Sequence, residues 1–192
     1  MKKFLVLVAL IMAISMGLNA QESKSHLCFK GVPITGKATN VIKKLQASGY
    51  TFKEKDDNNN ILMTGMFANE KCEIYIYTTA ISKEVYQIGV GFNEKLNWKS
   101  LKADYLKFKK QLNEKYDLLS SIERFSKPYY DGGGYELTAL KLGKGMYASQ
   151  FKVDNGSIFL AIQGSRVYLL YTDKNGDLIN DKESKDLISK DL

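Results

Sequence analysis

Apolar and polar residues alternate strictly in the middle of the chain. Segments 72–77 and 86–92 each place an apolar residue at every second position. A β-strand points successive side chains to opposite faces, so this pattern predicts strands with one buried face. Two shorter strand-like runs, 51–55 and 61–67, precede them, and the polar cluster 56–60 between those runs has turn composition. The pattern predicts an antiparallel meander of four strands.

Two other segments repeat apolar residues every three or four positions, which is the spacing of one helical face. The first begins at Thr35 and ends at Gly49, because glycine favours the left-handed turn that closes a helix. The second runs over residues 100–116. Its apolar face consists of Leu101, Tyr105, Phe108 and Leu112.

Strand patterns resume after the second helix and are separated by short glycine-bearing connections, which predict hairpins. They cover residues 120–125, 135–142, 146–153, 157–163 and 166–172, and a tail of weak helical character follows at 181–192. The order of elements predicts an α+β protein with its helices packed on one face of an antiparallel sheet. Because helix and meander occur twice, we expect two tandem repeats, residues 21–95 and 96–192.

The first twenty residues predict a signal peptide. Met1–Lys3 is basic, Phe4–Met16 is an apolar or small-residue run of thirteen, and residue 20 is a small Ala before a polar leader. The alternative is a membrane anchor, but spanning a bilayer takes about 20 apolar residues. We therefore expect an exported protein, periplasmic or extracellular, without stable membrane insertion.

Charge and composition exclude several classes of function. Lys and Arg total 28 against 21 Asp and Glu, but Arg124 and Arg166 are the only arginines. Nucleic-acid readers favour arginine, and the lysines here alternate with acidic residues as on a solvated surface. We expect no nucleic-acid partner. A single His and two Cys leave no set of metal ligands with familiar spacing, so neither metal nor cofactor is expected.

The two cysteines, Cys28 and Cys72, have three interpretations. An even pair in an exported chain favours a disulfide. Two free thiols are the alternative. A cysteine nucleophile would need a histidine within reach, and His26 lies two residues before Cys28 on a probable strand. No cysteine-protease motif surrounds either thiol.

Two groups of tyrosines are candidate binding residues. Tyr129 and Tyr130 lie in the irregular segment 126–134, where tyrosine supplies contact area and the glycines supply adaptability, as in a recognition loop. Tyr75 and Tyr77 share one face of a strand and predict an aromatic patch for a glycan or a peptide. The alternatives are a plain hairpin connection and half-buried sheet residues under a helix.

Asp173–Asp177 begins like a calcium loop. Such a loop needs glycine at its sixth position and a bidentate Glu at its twelfth, where this chain has Leu178 and Ser184. The segment is therefore predicted to be a polar turn after the last strand.

The segment Phe29–Gly36, followed by a helix that ends at Gly49-Tyr50, resembles the start of a group of small secreted proteins of Bacteroides-type bacteria. Their function is unknown. Residues 71–74 and the closing Asp191-Leu192 are similar as well. The helix-then-meander order resembles the β-lactamase inhibitor protein, and this resemblance implies a binding or inhibitory module without a catalytic centre. No site residues carry over.

Together these observations predict an exported, non-catalytic binding module of the cell envelope, with a protein, peptide or glycan as its partner. A small envelope hydrolase with paired carboxylates and a purely structural envelope protein are the alternatives. The sequence contains no nucleophile elbow, nucleotide-binding glycine loop or zincin helix.

Overall fold

The computed structural model describes residues 25–57 and 60–191. The expected signal peptide and residues 21–24 of the leader lie outside the described residues. The first half of the chain contains β1 (Cys28–Phe29), β2 (Val32–Pro33), α1 (Ala38–Ala47), β3 (Thr51–Lys55), β4 (Ile61–Phe67), β5 (Glu70–Thr78) and β6 (Val85–Phe92). The second half contains α2 (Trp98–Asn113), β7 (Asp117–Phe125), α3 (Glu136–Lys141), β8 (Gly145–Val153), β9 (Gly156–Gln163), β10 (Arg166–Asp173) and α4 (Lys174–Asp191).

Eight strands form one antiparallel sheet in the order β3-β4-β5-β6-β10-β9-β8-β7. Strands β3–β6 form one meander and β7–β10 form another, and the two meet where β6 pairs with β10, Val90 opposite Leu169. The short β1–β2 hairpin stands apart from this sheet. The two edge strands each carry a register irregularity, at Phe52/Glu54 in β3 and at Leu118/Ser120 in β7. The predicted α+β class is confirmed.

One face of the sheet carries the core. Helix α1 buries Val41 and Leu45 there, and α2 buries the four residues predicted as its apolar face. These side chains pack against alternate strand residues such as Ile74, Val90 and Leu160, which are fully buried. The β1–β2 hairpin adds Phe29, whose ring stacks on that of Phe67 at 5.5 Å between centroids. Burial of these apolar surfaces is the main source of stability.

The strand predicted over 135–142 is wrong, because the segment forms helix α3. Leu137 and Ala139 alternate with polar residues as in a strand. Leu137 and Leu140, however, both pack on the core, and their spacing of three positions is that of a helix. The carboxylate of Glu136 accepts the backbone N–H groups of Gly132 and Gly134 at 2.6 and 3.2 Å, which fixes the start of the helix.

The polar turn predicted at 173–177 is also wrong, because α4 begins there rather than at 181. Asp173 is fully buried, and its carboxylate accepts the N–H of Gly176 at 2.9 Å, as an N-cap residue does. The same oxygen, Oδ1, lies 3.1 Å from His26 Nδ1, and the other oxygen, Oδ2, accepts the N–H of Leu27 at 2.9 Å. One side chain therefore starts the last helix and holds the N-terminal segment.

Helix α4 lies at the end of the sheet where β10 ends and β6 begins. Gly176 meets the backbone of Tyr86, and Glu183 accepts the N–H groups of Ile81 and Ser82 at 2.5 and 3.1 Å. The other helix bounds differ from the prediction by two or three residues. Helix α2, for example, begins at Trp98 because Asn97 Oδ1 accepts the N–H of Ser100 at 2.9 Å.

Replacing Asp173 tests the role of this buried carboxylate. We expect Asp173→Ala to lower the free energy of unfolding by about 3 kcal/mol, because two buried N–H groups lose their acceptor. Asp154→Ala is the matched control, since Asp154 is exposed and makes no side-chain contact among the described hydrogen bonds. Urea denaturation measures both. Equal, small losses in the two variants would contradict this role.

Candidate functional site

The face of the sheet opposite α1 and α2 is bordered by α4, which contacts β6, β10 and β9 at the end where β10 ends. We call this face the open face. Its side chains come from alternate strand positions: Tyr75 and Tyr77 on β5, Gly89 and Gly91 on β6, Tyr168 and Leu170 on β10, Phe159 and Ala161 on β9, and Ala148 on β8. The strand register places these residues in three rows across the sheet, with Tyr77 in the row of Gln87, Tyr75 in that of Gly89, and Tyr168 in that of Gly91.

Two glycines make room for the tyrosines at the centre of the open face. A Cβ at Gly91 would lie 3.0 Å from the ring of Tyr168 and 3.2 Å from that of Tyr75. A Cβ at Gly89 would lie 3.4 Å from the ring of Tyr77. The three rings therefore lean over bare backbone instead of standing away from the sheet. Contact between an aromatic ring and a strand glycine limits the motion of the ring.

A chain of polar contacts fixes the Tyr75 ring further. Its hydroxyl donates to Glu73 at 2.6 Å, Arg166 Nη1 donates to the same carboxylate at 2.5 Å, and Arg166 Nε lies 3.3 Å from Glu94. The hydrogen bond from Tyr75, together with that of Arg166, lowers the pKa of the Glu73 carboxyl. Burial and the Glu73 carboxylate raise the pKa of Tyr75 above its usual range. At neutral pH the carboxylate is charged and the phenol is neutral.

The open face becomes apolar and small towards β8 and β7. Ala161 pairs with Ala148, and Tyr168 and Ile122 flank them in the same row, so a shallow depression lies between larger side chains. Phe159 in the next row keeps 38% of its surface exposed. Single exposed apolar residues are common, but a continuous exposed patch marks an interaction surface.

Both arginines of the chain are on the open face. Arg166 lies at the start of β10, and Arg124 near the end of β7 is exposed and pairs in register with Met146. Lys71 on β5 and Lys152 on β8 lie on the same side of the sheet. Protein interfaces are enriched in Tyr, Phe, Met and Arg and depleted in Lys and Glu. The Tyr, Phe, Met and Arg side chains of the open face match this enrichment.

The other two predicted binding residues lie elsewhere. Tyr129 is half-buried and Tyr130 is 65% exposed, in the connection between β7 and α3. This connection is attached to the helix side of the sheet, because Asp131 accepts from Trp98 Nε1 at 2.6 Å and forms an ion pair with Lys102. Four strand spacings, about 19 Å, separate β5 from β8. The two tyrosine groups therefore do not form one compact site.

The predicted disulfide is absent from the structure, where both cysteines are free. Cys28 is exposed, with its Sγ 3.7 Å from the carbonyl oxygen of His26. Cys72 faces the core at 5% exposure, and its Sγ lies 3.6 Å from the carbonyl oxygen of Gly65. The His26 ring contacts Asp173 rather than either thiol, so the histidine–cysteine pair considered from the sequence is not assembled.

Sequence reasoning missed Tyr168, Arg166 and the role of Gly89 and Gly91. Strand 166–172 was predicted, and its alternation already separates Val167, Leu169 and Tyr171 from the residues that face the other way. That signal identifies Tyr168 as an outward residue. The pairing of β10 with β6, which brings Tyr168 beside Tyr75, depends on contacts between distant parts of the chain and has no local signal.

Within the described residues, no group of three or more His, Cys, Asp or Glu side chains has the arrangement of a metal site. No helix of residues 25–57 or 60–191 combines the length and the apolar character needed to cross a membrane. No protein-family model matches the chain, and neither a curated protein nor a solved structure does. The comparisons thus neither support nor contradict the resemblances drawn from the sequence.

Thiol alkylation distinguishes the two cysteines. We expect iodoacetamide to modify Cys28 in the folded, unreduced protein and to spare Cys72, because Cys72 is buried and burial raises the pKa of its thiol to about 11. Denaturation should expose both. Mass spectrometry of the labelled peptides is the measurement. If neither thiol reacts after denaturation without a reductant, the two are bonded after all.

The same thiol predicts how stability depends on pH. The unfolded thiol ionises from about pH 8.5, whereas the folded one keeps its proton up to about 11. The unfolded state then binds fewer protons, so stability falls as the pH rises through this window, by up to about 1.4 kcal/mol per pH unit. Urea denaturation of the wild type and of Cys72→Ala at pH 8, 9 and 10 measures how the free energy of unfolding changes with pH. A slope as steep in the variant as in the wild type would contradict this origin.

Proposed function

We propose that this protein is an exported, non-catalytic binding module that captures a partner protein on the open face of its sheet. One observation carries the proposal: the rings of Tyr75, Tyr77 and Tyr168 are held over Gly89 and Gly91 on the face of the sheet opposite α1 and α2. Side chains already held in place lose little conformational entropy on binding, so more of the contact energy remains as affinity.

The composition of the open face favours a protein over a glycan or a peptide. It combines exposed apolar residues such as Phe159 and Met146 with both arginines and the tyrosines. It extends across the strands from β5 to β7, and an area of this breadth suits a protein interface. A glycan would require a dense set of polar groups around a ring platform, and an extended peptide would require a groove or a sheet edge.

Export is part of the proposal and rests on residues 1–20, which have the basic, apolar and small-residue regions of a signal peptide. The similarity to secreted Bacteroides-type proteins is also a proposal, and it rests on the sequence alone.

We also propose that the two halves of the chain are structural repeats. Each consists of a helix followed by a four-strand meander, with its first strand at an edge of the sheet and its last strand at the centre. The boundary lies between Phe92 and Trp98, close to the predicted division at 95/96. This arrangement supports the proposed similarity to the β-lactamase inhibitor protein, although α3 interrupts the second meander.

A single charge on the open face tests the proposed interface. We expect Ala161→Glu to weaken partner capture at least tenfold, because it buries a carboxylate against the partner. Ala47→Glu is the matched control, since Ala47 is exposed on α1 and far from the open face. The measurement is capture from the envelope fraction and culture medium of the producing cell, followed by titration of the retained protein. Circular dichroism melting shows that both variants fold.

Other outcomes identify other sites. If Tyr129→Ala with Tyr130→Ala abolishes capture while Ala161→Glu does not, then the 126–135 connection is the binding site and the open-face proposal is wrong. Equal capture by Ala161→Glu and by Ala47→Glu, with unchanged affinity, would also contradict the proposal.

A further inference from the structure

A cavity of about 380 Å³ opens on the helix side of the sheet, away from the open face. It lies where α2 ends and the chain turns through residues 114–116 towards β7. Because the helix stops there, it leaves part of β10 uncovered. The walls of the cavity are Phe67, Phe108, Leu112, Leu169 and Tyr171. Cavities of this size and lining are typical of small-molecule sites.

The walls are apolar and held in place. Phe108 and Leu169 are fully buried members of the core, and the ring of Phe108 stacks on that of Phe92 at 4.1 Å between centroids. The ring of Phe67 stacks on Phe29, and Tyr171 meets Phe29 edge-on at 5.3 Å. The inner wall of the cavity therefore consists of core residues, which move little, and exposed side chains such as Gln111 form its rim.

Tyr171 is the unusual member of this wall. The residue is only 7% exposed, but among the described residues its hydroxyl is neither hydrogen-bonded nor one of the buried atoms shut off from solvent without a partner, so the hydroxyl stays accessible at the cavity. Tyr50, in the same core, donates its hydroxyl to the carbonyl oxygen of Met66 at 3.1 Å. An accessible and unpaired hydroxyl in the wall of a largely apolar cavity is the kind of polar group that orients a bound small molecule. Burial, together with nearby Tyr116 and Tyr50, raises the pKa of Tyr171 above its usual range, so the phenol stays a donor.

We propose that this cavity binds a small, uncharged and mostly apolar molecule that carries one oxygen acceptor for the Tyr171 hydroxyl. The apolar walls favour an uncharged ligand, because no buried charge faces the cavity to pair with an ionised one. The charged residues at its rim, Glu114 and Lys115, are exposed and of opposite sign. They provide no net attraction for either an acid or a base. The site is independent of the proposed partner face.

Two matched probes test the proposal, acetylnaphthalene and ethylnaphthalene. They have nearly the same shape, but only the first carries an acceptor oxygen. Methyl NMR titration of the protein locates binding, since Leu112 and Leu169 line the cavity. We expect both signals to shift on addition of acetylnaphthalene and its affinity to exceed that of ethylnaphthalene by about tenfold, the effect of one buried hydrogen bond.

Three variants complete the test. Tyr171→Phe should remove the preference for acetylnaphthalene and leave the affinity for ethylnaphthalene unchanged within about twofold. Gln111→Trp, an exposed position of α2 at the mouth of the cavity, should block both probes. Tyr168→Phe on the open face is the control and should change neither affinity.

The proposal would be overturned if neither leucine signal shifted, if the two probes bound equally well to the wild type, or if Tyr171→Phe kept the preference for acetylnaphthalene. Binding that persists in Gln111→Trp would place the probes outside the cavity and would overturn it too.

Discussion

The pairing of β6 with β10 is the interaction on which the rest of the structure depends. Each meander alone has four strands, and its last strand would be an open edge. Joining these two strands, with Ile88, Val90 and Leu169 buried along the seam, turns two small units into one sheet with one continuous core. A larger core buries a greater fraction of its surface and is correspondingly more stable. The same seam brings Tyr75 and Tyr168 together on the opposite face.

The two faces of the sheet follow from one alternation. On β5, Ile74 and Ile76 face the helices while Tyr75 and Tyr77 face away. On β10, Leu169 faces the helices while Tyr168 faces away. Residues on the helix side are fixed by close packing, whereas those on the other side are fixed by glycine gaps and by the Glu73–Arg166 ion pair. A surface ion pair contributes little to stability. Here the Glu73–Arg166 ion pair instead fixes the orientation of the Tyr75 ring, whose hydroxyl donates to Glu73.

Much of this architecture could be predicted from local signals. The strands over 61–67, 146–153 and 157–163 follow from alternation, the four buried residues of α2 from their spacing, and the β8–β9 turn from Asp154-Asn155-Gly156. The predictions failed where a tertiary contact overrides the local pattern. Residues 136–141 alternate like a strand but fold as a helix because Leu137 and Leu140 reach the core. Asp173 looks like a turn residue, but its partners include His26, at the other end of the chain.

The residues of the candidate site also fall into those that a local pattern predicts and those that it does not. Tyr75 and Tyr77 could be assigned to an outward face because the alternation of β5 is strict. The contributions of Tyr168 and Gly91 could not, because strand order is a property of the whole sheet and one chain contains no local record of it. The number of cysteines alone did not predict whether they are bonded. An even pair in an exported chain favours a disulfide, but Cys28 faces solvent and Cys72 faces the core.

The register irregularities in β3 and β7 have a consequence for self-association. An antiparallel sheet with two free edges offers unpaired N–H and C=O groups on both sides, and such edges can pair with further copies of the same chain. A bulge breaks the regular spacing of those groups and twists the edge away from flatness. Both edges of this sheet have one, and β3 also carries Lys53 and Lys55. The pairing of the sheet is thus interrupted at both of its edges, which disfavours growth into fibrils by the addition of further copies.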